Sequence, residues 1–147
     1  MTWLVCFDGS DDGFAGLERL IQQFAKDGRE KRTVVVTLVG WPVHVSALWD
    51  KAFARQGFVD DLHRAMAEVA EAEFQRLRKL FEPIATVKTE FLEGDPVQQI
   101  EGLANKVKPD LMIVGVSRTA HAGPVGVVIH QLLRELSYPV VLTHGAI

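Results

Sequence analysis

Apolar positions fall along this chain in two alternating rhythms, short runs of strand length and stripes at helical spacing. Residues 3–7 (WLVCF) are one such run, and they stop at Asp8-Gly9-Ser10. Ser10, Asp11 or Asp12 then suits the cap of a helix whose Phe14, Leu17, Leu20, Ile21 and Phe24 lie on one stripe. Gly28 suits the helix end. Residues 33–39 (TVVVTLV) carry no polar alternation, which predicts a strand covered on both faces and hence a parallel sheet between helical layers.

Residues 40–58 hold Pro42, Trp41 and Trp49 without a clean period and read as a long connection. A long helix follows over 59–81, with Leu62, Met66, Val69, Leu77 and Leu80 predicted on its inner side. Val87, Thr89 and Phe91 alternate with Thr86, Lys88 and Glu90, the pattern of a half-exposed edge strand. Gly94-Asp95-Pro96 opens the next helix: Asp95 caps it, and Pro96 takes the first position, where a missing N–H costs nothing. Val97, Ile100, Leu103, Ala104 and Val107 form its stripe, and Pro109 stops it before the strand 111–114 (LMIV). A last helix over about 126–136 carries Ile129, Leu132, Leu133 and Leu136, and Pro139-Val140-Val141-Leu142-Thr143 closes the sheet.

Strict strand–helix alternation implies a parallel sheet with right-handed crossovers and helices on both faces. The expected class is α/β, one domain over residues 1–147, with five strands in the order 3-2-1-4-5. The chain order reverses between strands one and four. Ligands of open parallel sheets bind at such a reversal, outside the carboxyl ends of the strands. Asp8 and Gly115 should therefore face one another across a crevice.

Composition narrows the partners. Acidic residues outnumber basic ones by 19 to 16, for a net charge of −3, so there is no basic field for nucleic acid. No apolar run approaches the roughly 20 residues that span a bilayer. The N-terminus lacks a basic region followed by an apolar stretch, so no secretory signal is expected. The single cysteine, Cys6, rules out an intrachain disulfide and suits a reducing cytoplasm.

Two readings of Asp8 are open. A carboxylate at a strand tip accepts hydrogen bonds from an adenine amine or ribose hydroxyls; Asp-Gly-Ser-Asp-Asp is also turn and helix-start chemistry. Phosphate instead needs glycine-permitted backbone N–H groups leading into a helix N-terminus. Gly115, Gly123-Pro124 and Gly126 could supply that, and they equally suit an ordinary connection. His44, His63, His121, His130 and His144 show no metal-ligand spacing. Ser10 and Ser117 lie in no G-x-S-x-G elbow, and there is no Walker A loop.

Several pieces, in order, carry a resemblance. They are Asp8-Gly9-Ser10 after the first strand and Gly94-Asp95-Pro96 before the helix ending in Lys108-Pro109-Asp110. Leu111-Met112-Ile113-Val114-Gly115 and the C-terminal segment Leu132 to Val141 complete the set. Together they resemble a universal stress protein of the UspA type over essentially the whole length. The resemblance implies a Rossmann-like, adenine nucleotide alpha-hydrolase-like sheet. It also implies a homodimer formed through the last strand and, in one branch of the family, ATP or AMP in the crevice.

That ATP-binding branch carries the loop G-x2-G-x9-G-[S/T]. Gly115 matches its first glycine, but the second falls on Arg118, and only seven residues separate Arg118 from Gly126, aligned with the third. The hydroxyl position falls on Val127, and a further Ser/Thr position on Ile129. An arginine resists positive φ and adds bulk where backbone would approach phosphate. Each lost hydrogen bond to a charged group costs roughly 1.5–3 kcal/mol. The Arg118 guanidinium can offset part of this by pairing with phosphate.

The expectation is a homodimeric stress-response or signalling module without turnover of its own. Its crevice, lined by Asp8, Val39, Gly115, Arg118, Gly126 and Val127, would bind ATP weakly or not at all. A nucleotide sensor holding ATP or AMP is the second reading, and a slow ATPase the third.

Overall fold

The computed structural model describes residues 1–24, 32–38, 58–92, 95–116 and 124–143. Among the described residues five strands and four helices alternate: β1 Thr2–Phe7, α1 Asp11–Phe24, β2 Arg32–Leu38, α2 Phe58–Phe81, β3 Ala85–Thr89, α3 Pro96–Val107, β4 Leu111–Gly115, α4 Pro124–Glu135 and β5 Val140–Thr143. The strands form one sheet in the order β3-β2-β1-β4-β5. Every pairing is parallel. The fold is the Rossmann-like α/β arrangement expected from the alternation.

Period-two alternation divides the core between the faces. Trp3, Val5 and Phe7 of β1 with Val34, Val36 and Leu38 of β2 pack under α1 and α2. Leu4, Cys6, Val35, Met112 and Val114 pack under α3 and α4. The continuous apolar run of β2 is buried on both sides, as its lack of alternation predicts. β3 alternates between half-buried and exposed at the sheet edge, again as expected.

The helix stripes need two corrections. Among the described side chains of α2, Ala70, Phe74, Leu77 and Phe81 are buried, whereas Val69 is exposed. Leu77 thus lies inside as predicted and Leu80 packs partly buried against the core, while the side chains of Leu62 and Met66 lie outside those described. Leu133 of α4 is also exposed, while its neighbours Ile129 and Leu132 are buried.

Local signals at α3 act as the sequence suggests. Asp95 accepts a hydrogen bond from the Gln98 N–H at 3.1 Å, and Pro96 opens the helix. The stop is made one residue before Pro109, by Lys108 in the left-handed conformation at φ 51°, its N–H bonded to the Ala104 carbonyl. Gly28 and the connection over 40–57, including both of its tryptophans, lie outside the described residues.

At the opposite end of the sheet from the strand tips, Arg32 opens β2 and is buried. Its guanidinium lies 5.1 Å from the Trp3 ring centre and 5.7 Å from that of Phe24. Two aromatic faces thus meet a cation that the apolar pattern alone gives no reason to bury.

Candidate functional site

β1 and β4 run side by side with Phe7 opposite Gly115. One residue on, the Asp8 N–H donates to the Gly115 carbonyl at 3.1 Å. The two strand tips are therefore joined at the reversal of chain order rather than merely facing across it. The crevice of such a sheet opens just beyond this junction.

The Asp8 side chain is only 4% exposed. Its Oδ1 accepts from the Ser10 N–H at 2.9 Å and from the Ser10 hydroxyl at 2.5 Å. Gly9 between them takes φ 81°, a conformation that favours glycine. Ser10 in turn caps α1. Its Oγ accepts from the Gly13 N–H at 2.9 Å and its carbonyl from the Phe14 N–H at 3.0 Å. Of the three candidate caps, Ser10 fills the position, while Asp11 and Asp12 form the acidic first turn. The turn-forming reading of Asp8 is thus realised.

Glycine at two positions lets α1 press on the strand tips. A Cβ on Gly13 would stand 2.8 Å from Asp8 Oδ1, 2.9 Å from the Gly115 carbonyl and 2.9 Å from Ser10 Oγ. A Cβ on Gly115 would meet Leu17 Cγ at 2.8 Å and the Gly13 carbonyl at 3.2 Å. Gly115 therefore has a packing reason independent of any phosphate. The sequence could not show this, because it depends on which helix passes over β4.

The remaining predicted site residues divide in two. Val39 and Arg118 lie outside the described residues. Gly126 and Val127 lie inside the first turn of α4, which starts at Pro124, two residues before the predicted start. The Gly126 N–H is thus among the first-turn donors with no acceptor in the helix, while Pro124 offers no N–H at all. Sequence reasoning passed over Thr37, which is fully buried near the end of β2, its hydroxyl without a hydrogen-bond partner among the described residues. Its signal was a polar residue following the apolar run Val34-Val35-Val36.

Cys6 sits opposite Thr37 and Val114, fully buried. Burial pushes its thiol up to about 12, so it is inert rather than nucleophilic. Among the described residues, no group of three His, Cys, Asp or Glu side chains could hold a metal ion. No helix there is long and apolar enough to cross a membrane.

In doubly wound parallel sheets of this order, ligand sites lie outside the carboxyl ends of the strands at the switch point. The universal stress protein family model matches residues 1–144, and the chain belongs to that family. No curated protein sequence matches it. Solved structures with the same fold include universal stress protein UspA from Lactobacillus plantarum, at 21% identity and TM-score 0.62, covering 97% of each chain. The universal stress protein from Archaeoglobus fulgidus in complex with dAMP matches at 16% identity and TM-score 0.58, again covering 97% of each chain. A universal stress protein family protein from Arabidopsis thaliana with AMP bound matches at 14% identity and TM-score 0.58, covering 97% of this chain and 90% of that one.

Proposed function

We propose that this protein is a cytoplasmic stress-response or signalling module whose crevice keeps its nucleoside side and has lost much of its triphosphate grip. The Asp8 carboxylate, fixed at the junction of β1 and β4, supports the first half: it accepts from ribose hydroxyls or an adenine amine. Relatives of the same fold bound to dAMP and AMP make an adenine nucleotide the natural ligand class.

The first turn of α4 carries the second half and is the deciding observation. It reads Pro124-Val125-Gly126-Val127, with no side-chain hydroxyl and no N–H on Pro124. Helix N-termini hold phosphate through these donors. Arg118 at the second glycine position adds a charge and removes a close backbone approach. Val39 and Gly115 complete the proposed lining.

We further propose a homodimer through β5. This strand is the last in the sheet order, and Leu142 on it is 48% exposed. Beside it lies an apolar hollow lined by Met112, Leu132, Leu133 and Val140. An unpaired apolar edge of this kind favours pairing with another chain.

Mass spectrometry of small molecules released from protein purified natively tests the reading. We expect no stoichiometric ATP; ATP at one per chain would overturn it in favour of a sensor. Phosphate release from ATP that is lost on replacing Asp8 and is also lost on replacing Gly126 would instead establish the ATPase.

A further inference from the structure

We propose that Ser10 is the positioning residue of the crevice, holding the Asp8 carboxylate toward a nucleoside by a relay that starts at the α1 backbone. The inference rests on the nucleotide reading above and identifies how its one described polar group is fixed. The Gly13 N–H donates to Ser10 Oγ at 2.9 Å, and that hydroxyl donates onward to Asp8 Oδ1 at 2.5 Å. The Ser10 N–H donates to the same oxygen at 2.9 Å.

The order of donors matters. A hydroxyl both donates and accepts, so it can satisfy the helix end and the carboxylate together. Asn or Asp would cap α1 equally well, and glycine nearly so. A side chain that only caps can equally be Asp, Asn or Ser. One that must accept from the helix and donate to Asp8 through the same atom has to carry a hydroxyl. Gly13 makes the arrangement possible, since a Cβ there would stand 2.8 Å from Asp8 Oδ1. Glycine at 13 admits the carboxylate, and serine at 10 holds it.

Capping and positioning separate in three variants. Ser10→Thr keeps cap and hydroxyl. Ser10→Gly keeps a serviceable cap but loses the hydroxyl. Ser10→Asp keeps a strong cap and sets a second carboxylate against Asp8. Urea unfolding midpoints report the cap. NMR side-chain couplings of Asp8 report its rotamer, and AMP titration into the millimolar range, followed by amide shifts, reports the crevice.

We expect Ser10→Thr to match the parent in all three readouts. Ser10→Gly and Ser10→Asp should average the Asp8 rotamer and weaken AMP binding about tenfold, the effect of degrading one hydrogen bond to a charged group, alongside a lower unfolding midpoint because buried Asp8 loses its hydroxyl partner. A single fixed Asp8 rotamer in both, with parental AMP affinity, would overturn the proposal. So would affinity loss that merely follows a falling unfolding midpoint while the rotamer stays fixed. Absence of any AMP-induced shift in the parent would remove the nucleotide reading alone. The Asp8 rotamers would then still decide whether Ser10 positions that carboxylate.

Discussion

The backbone N–H of Asp8 donates to the carbonyl of Gly115 across 3.1 Å, tying together two strand tips that are more than a hundred residues apart in sequence. Helix α1 crosses directly over this tie, with Gly13 and Leu17 against the end of β4. A change in how α1 seats on β4 therefore moves Asp8. Packing of the core and geometry of the crevice meet at the same residues.

Gly115→Ala places a Cβ 2.8 Å from Leu17 Cγ, and Leu17 is fully buried with nowhere to retreat. Overpacking of this kind costs about 1–3 kcal/mol. Urea unfolding should show that loss. Leu17→Ala alone should cost about 2–5 kcal/mol by leaving a cavity. The double variant should cost less than the sum, since the truncated side chain makes room for the new methyl. Strict additivity would mean that the two do not collide.

Cys6 gives a pH signature. Its thiol ionises near its ordinary value once the chain unfolds but stays protonated in the fold up to about 12. Above roughly pH 9 the unfolded state binds fewer protons than the folded one, so stability falls as pH rises. The slope should approach about 1.4 kcal/mol per pH unit between pH 9 and 12. Cys6→Ala, whatever its own cost, should lack this component. Parallel pH dependences for the two proteins in urea would show that Cys6 is not the cause. Below pH 9 the native thiol should also resist alkylation.

Leu142→Lys tests the edge. The side chain is half exposed on β5, so lysine should leave the monomer fold intact while placing a charge on the pairing edge. Analytical ultracentrifugation should give a dimer for the parent and a monomer for the variant, with unchanged far-ultraviolet circular dichroism. A parent that sediments as a monomer at micromolar concentration would contradict the β5 dimer.

The sheet was legible because each of its rules is local. Val34 to Leu38 could only be a strand covered on both faces, and alternation with helices left parallel pairing and one handedness. The cap at Asp95 was legible for the same reason: cap and proline are neighbours in sequence. What could not be read depends on rotation or distant contact. Periodicity fixes the spacing of a helix's inner face but not which residue faces inward, so Val69 was placed inside and Phe81 missed. Leu133 fits the stripe of α4, yet only Ile129 and Leu132 of that stripe are buried. Asp8 was recognised as a strand-tip carboxylate, but its bond to Ser10 follows from the turn at Gly9. The packing role of Gly115 appears only once α1 lies over β4.

The proposed crevice pairs an intact nucleoside side with a blunted phosphate side. Isothermal titration of ATP and AMP into the purified protein tests it most directly. We expect ATP to bind no more tightly than AMP, with a dissociation constant above about 100 μM, since β- and γ-phosphates find few donors at α4. ATP bound at micromolar affinity or better, and well ahead of AMP, would contradict it.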